Sequence, residues 1–184
     1  METSARSTEL NDQLKAHSLS WAGAIDSLGY EPRLAPILDE PTAIIGDEVP
    51  ALASGSLSHN VDHGQREFDD SGDLIFPDQP NLYDVIVVTD RLFILTWGHL
   101  RKGSASAERE LTTVRARKNI SQVTIEITPG QERYPGGIAT HHDVSLTFVD
   151  GSKLKIPNAE EDLTPAGIAA LSALIPEFYA DMSA

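Results

Sequence analysis

Six histidines are among the residues most able to do chemistry in this 184-residue chain, and metal ligation is the first chemistry they suggest. His59 and His63 stand four apart, His141 and His142 are adjacent, and Asp62 and Asp143 lie close by. Four-residue spacing puts two imidazoles on one face only within a helix, and Gly64 with its polar surroundings argues against a helix there. Neighbouring residues on a strand point to opposite faces, so His141 and His142 do not readily share one ion. By the same alternation His142 lies on the Val144 face and can be partly buried. Asp69, Asp70, Asp73 and Asp78 could chelate calcium, but their spacing does not follow the loop pattern that surrounds that ion. No serine sits in a nucleophile-elbow context, and neither "GSLSH" nor "YPGG" has the spacing of a phosphate loop. The expectation is a protein that is not an enzyme, with no metal and no cofactor.

Charge is the stronger signal. The formal net charge is −14, yet seven of the 14 lysines and arginines fall between positions 91 and 118. They are Arg91, Arg101, Lys102, Arg109, Arg115, Arg117 and Lys118. One reading is a set of solvated loop and strand faces that offset the acidic remainder. The other is a cationic patch for a phosphate, an acidic peptide, or the chain's own acidic segments. The overall negative charge argues against direct nucleic-acid binding and against adhesion to anionic lipid.

The elements that would position these residues have readable signals. With no cysteine, disulfides and thiolate metal sites are excluded. The first residues lack the apolar core of a secretion signal, and no apolar run reaches the roughly 20 residues of a membrane span, so a soluble, cytoplasmic protein is expected. Residues 8–29 read as one helix, with Leu10, Leu14, Trp21, Ile25 and Leu28 spaced near 3.6 and Gly29 as its stop. Its stripe either packs on the main domain or offers Trp21 to a partner. Residues 30–50 carry four prolines and read as an extended connector. The division is then a helix and proline-rich connector over 1–48 and a main domain over 49–184, with an acidic loop inserted at 60–82.

Strand signals fill the main domain. Residues 51–59 are a first strand. The apolar runs 83–89 and 91–97 flank Thr89, Asp90 and Arg91 and predict a hairpin, because β-branched and aromatic runs suit a pleated surface. A strand over 109–116 and the alternating "NISQVTIEI" at 119–127 follow. Val144, Leu146 and Phe148 then share one face, Asp150-Gly151 signals a tight turn, and Leu154 and Ile156 continue the face. Thr164-Pro165 opens a helix. Its stripe is Ile168, Leu171, Leu174 and Ile175, and Pro176 is expected to kink or end it.

This order of antiparallel strands closed by one amphipathic helix resembles the bacterial pleckstrin-homology-like family. The carrying segments are the "TDR" turn inside "VIVVTDRLFILT", "NISQVTIEI", and "VSLTFVDGSKLKI" before the last helix. The resemblance spans roughly residues 49–182; the leading helix and the 60–82 insert lie outside the family's pattern. It implies an α+β, mainly β fold: a small antiparallel barrel capped by a C-terminal helix, here with an N-terminal helical extension. It also implies a binding or scaffolding domain. Eukaryotic relatives can bind phosphoinositides through basic loops near the first strands, whereas here that region is acidic.

Two functions remain. In one, the domain engages a protein partner through its barrel edge, its basic stretch or its leading helix, with Trp21 or Trp97 as apolar anchor. In the other, the acidic half mimics nucleic acid and occupies a basic protein, with Asp69, Asp70, Asp73 and Asp78 in its contact surface.

Overall fold

The computed structural model describes residues 5–28, 31–58, 67–68, 74–75, 81–100, 107–128, 141–157 and 163–183. Three helices come first: α1 (Ala5–His17), α2 (Leu19–Leu28) and α3 (Glu31–Ile45). Among the described residues nine strands follow: β1 (Leu52–Ser58), β2 (Glu67–Phe68), β3 (Leu74–Ile75), β4 (Asn81–Val88), β5 (Leu92–Leu100), β6 (Glu108–Ala116), β7 (Ile120–Thr128), β8 (His141–Phe148) and β9 (Lys153–Ile156). The last element is α4 (Pro165–Asp181).

The strands form a four-stranded antiparallel sheet, ordered β1-β4-β5-β6, and a three-stranded one, ordered β7-β8-β9. A one-turn 3-10 helix, Arg117–Asn119, leads from the first sheet to the second. Among the described residues the two sheets stay separate, so the architecture is α+β with two packed sheets and not one closed barrel. β2 and β3 pair as a short hairpin inside the segment expected to be all loop.

The arrangement explains why residues 85–88 are apolar without interruption. Successive strand side chains point to opposite faces, and here both faces are covered. Val85 and Val87 join Leu10, Leu14, Trp21, Leu34, Ile37 and Leu38 in a core beneath α1–α3. Ile86 and Val88 join Phe93, Val144, Leu146, Phe148, Leu171 and Phe178 in a second core, shared with the other sheet and α4. The four-stranded sheet is therefore the middle of three layers. The leading helices are one of its two covers.

That role corrects two expectations about the N-terminal region. The single helix over 8–29 is interrupted at Ser18, whose backbone forms an isolated bridge with Leu163. The connector over 30–50 is mostly the helix α3, with Pro36 and Pro41 inside it. Each proline removes one backbone donor, but Leu34, Ile37, Leu38 and Ile45 fall on one face and are buried. Burial of such side chains, worth about 1.5–3 kcal/mol each, outweighs the local preference. Gly46, with φ of 63°, ends α3 in the left-handed region that glycine tolerates.

At the other end, α4 starts as expected: Thr164 caps it, its side chain accepting from the Gly167 amide at 3.1 Å. Pro176 does not end the helix, which runs on to Asp181. The ring sits on the exposed side of the helix. The buried face presents Leu171, Leu174 and Phe178 to the second core. Phe178 and Phe148 both pack on Phe93, with ring centroids 5.5 and 5.6 Å away.

The tight turn at Asp150-Gly151 also forms, Gly151 having φ of 81°. Asp150 accepts from the Ser152 amide at 2.9 Å, from the Ser152 hydroxyl, and from Arg115 at 2.8 Å. These bonds, the Ser152 hydroxyl first, lower its carboxyl from 3.8 to about 2. A depressed carboxyl favours the folded state above its unfolded value, and that contribution fades as pH falls from near 3.8 through about 2. Ser152→Ala should raise the Asp150 midpoint towards 3.8, measured by carboxyl 13C NMR titration; an unchanged midpoint would contradict this bonding.

Candidate binding surface

The hairpin of β4 and β5 turns at Thr89-Asp90-Arg91. Thr89 Oγ1 accepts from the Arg91 amide at 3.2 Å and the Leu92 amide at 3.0 Å, which holds the turn tight. Beyond that turn the described members of the cationic stretch separate. Arg91 pairs with Glu48 after α3, and Arg109 with Glu40 on α3. Arg115 pairs with Asp150 in the β8–β9 turn. Each arginine thus meets an acid from a distant part of the same chain. Lys118 is exposed. Arg101 and Lys102 lie outside the described residues.

Arg117 differs from the others by being 3% exposed. Nε donates to Asp181 at 2.8 Å, Nη2 to Glu177 at 3.0 Å, and Nη1 to the Thr89 carbonyl at 3.0 Å. Its guanidinium also lies 5.3 Å from the centroid of the Phe178 ring. It clamps α4 to the turn between β4 and β5 and to the junction between the sheets. Arginine suits this place because its planar fork can satisfy several acceptors at once.

The two tryptophans have opposite fates. Trp21 is wholly buried, its indole donating to Asn11 Oδ1 at 3.1 Å. A Cβ on Gly55 would lie 2.8 Å from the Trp21 ring, so β1 approaches α2 closely there. Trp21 belongs to the core and presents no surface for a partner. Trp97 is 41% exposed, and its cross-strand neighbour Leu111 is 52% exposed. The pair sits on the sheet face turned towards the second core, at the edge formed by β6. Leu95, on the same face, is partly buried against that core, as are Val123 and Ile125 of β7.

Sequence reasoning missed a polar cluster beside this pair. The register shifts between Trp97 and Gly98, so Trp97 opposes Leu111 while Gly98 opposes Arg109. Glu110 is the extra residue of this bulge. His99 Nδ1 lies 2.8 Å from Glu110 and Nε2 3.4 Å from Glu108. The Tyr83 hydroxyl donates to the Glu108 carbonyl at 2.7 Å. Burial first, then the charges of Glu110 and Glu108, push this phenol well above the usual tyrosine range. A Cβ at position 98 would fall 1.9 Å from the Tyr83 oxygen, so glycine there is what lets Tyr83 reach across. The "WGH" sequence was the available signal. The cluster ties the β5–β6 end to β4.

Asp69, Asp70, Asp73 and Asp78 lie outside the described residues, as do His59, His63 and Asp62. His141 and His142 are placed by register alone, opposite Thr128 and Ile127. Among the described residues there is no group of three or more acids and histidines placed to hold a metal ion. No helix among them is long and apolar enough to cross a membrane. No family model matches the chain, and no match was found among curated proteins or solved structures.

Proposed function

We propose that this chain is a non-catalytic binding module of the pleckstrin-homology-like type, engaging a protein partner through the Trp97–Leu111 edge. The order of strands supports the family reading: an antiparallel succession over two sheets, the "TDR" turn joining β4 to β5, and an amphipathic helix at the end. A location in the cytoplasm goes with this reading.

The observation that carries the partner surface is the exposed pair itself. Trp97 and Leu111 oppose one another on β5 and β6, and β6 is an edge strand with no further strand beside it among the described residues. An edge offers unpaired backbone donors and acceptors, and an aromatic side chain next to it supplies an apolar anchor. The opposing carboxylates on the described arginines leave less net charge for an anionic ligand. That favours an apolar anchor over a cationic patch.

Affinity capture from cell extract at low and high salt tests this. The wild-type chain should retain a specific protein at both salt concentrations, and Trp97→Ala with Leu111→Ser should lose it. Retention by that variant, with loss on combined neutralisation of Asp69, Asp70, Asp73 and Asp78, would replace this reading with the acidic-mimic one. Charge-dominated binding of that kind weakens as salt rises.

A further inference from the structure

The helical side of the four-stranded sheet carries a cavity of about 160 Å³ between α1 and the turn that leaves α3. Its walls include Glu9, Leu10 and Gln13 from α1 and Ile45, Glu48 and Val49 from α3 and its turn. Two acceptor atoms here, Gln13 Oε1 and Glu48 Oε2, are buried with no hydrogen-bond donor among the described residues. Arg91 meets Glu48 in an ion pair through Oε1, which leaves Oε2 open to a further donor. Arg6, also in the wall, is committed to the Gly46 carbonyl and to Asp47. Leaving a buried acceptor unmatched is unfavourable, so the cavity favours an occupant that brings donors.

The remaining features give that occupant a charge and a shape. The C-terminus of α3 faces this turn, and the negative end of a helix dipole favours a cation. Glu9 and Glu48 add carboxylates, while Leu10, Ile45 and Val49 line the cavity with apolar surface. A cavity of about 150 Å³ holds roughly six non-hydrogen atoms, the size of benzene. We propose that this cavity binds a primary ammonium on a short alkyl stem, whether a free amine or a lysine side chain. The ammonium would donate to Glu48 and Gln13, and the stem would lie on Leu10, Ile45 and Val49.

The test uses the full chain and follows the Gln13 side-chain amide and the Gly46 amide by 15N NMR. Putrescine and Nα-acetyl-lysine methylamide are titrated separately against 1,4-butanediol, which has the length of putrescine without its charge. Saturable shifts at both reporters are expected with at least one of the two amines, and the tighter of them identifies the source. Glu48→Gln should weaken binding about tenfold, the size of one charge-assisted hydrogen bond. Glu9→Gln, an exposed change that leaves the core untouched, should weaken it about threefold through charge alone. Equal binding of the diol, or no saturable shift with either amine, overturns the proposal. So does unchanged affinity in both variants.

Discussion

Replacing Arg117 by alanine should destabilise the protein by about 3 kcal/mol, in the range found when one member of a buried ion pair is removed. The cost has several sources. The Thr89 carbonyl loses its guanidinium donor, and Phe178 loses the cation over its ring. The space under α4 is left open. Glu177 and Asp181 lose their common partner, but their side chains are 53% and 26% exposed, so water recovers part of that loss. For a chain of this size about 3 kcal/mol lowers the midpoint of thermal unfolding by roughly 6–12 °C. Glu177→Gln should cost less than about 1 kcal/mol, because its carboxylate is largely solvated. Thermal unfolding of both variants checks the asymmetry. Equal and small effects would mean that Arg117 does not tether α4.

Trp21→Ala should be at least as damaging, at about 3–5 kcal/mol, the cost of truncating a fully buried aromatic. The side chain fills the space between α2 and β1, and its removal also takes the indole donor from Asn11 Oδ1 in a buried place. Gly55 cannot close the gap without bending the strand, since its backbone already pairs with Val85 of β4. Trp97→Ala makes the control: a tryptophan 41% exposed beside the β6 edge should cost about 1 kcal/mol, well short of the Trp21 loss. Urea unfolding of the two variants reads the difference as a shift in midpoint. Comparable midpoints would remove the distinction between core and surface tryptophan on which the partner surface depends.

The contrast between these tryptophans shows where the sequence was legible. Local signals identified the β4–β5 hairpin, the Asp150-Gly151 turn and the Thr164 cap, because each depends on residues within a few positions. They did not identify α3: its prolines are strong local breakers, while the burial of Leu34, Ile37 and Leu38 depends on strands that come later in the chain. Arg117 was read with the cationic stretch because its neighbours are basic. Its actual partners lie 28, 60 and 64 positions away. Charge pairing of that range leaves no pattern in a short window. Trp97 was legible as a candidate anchor, but its exposure followed only from the edge position of β6. The cluster of Tyr83, His99 and Glu110 needed a bulge that periodicity does not mark.

The account rests on the leading helices being one layer of a single fold, so that the four-stranded sheet is covered on both faces. The chain has two tryptophans, and Trp97→Phe leaves Trp21 as the sole indole, placed between helix and sheet. Urea unfolding of that variant, followed by Trp21 fluorescence and by far-ultraviolet circular dichroism, tests the claim directly. One transition with the same midpoint for both signals is expected. Loss of the Trp21 signal at lower urea, with the strand signal still intact, would show helices that detach on their own and would contradict the three-layer fold.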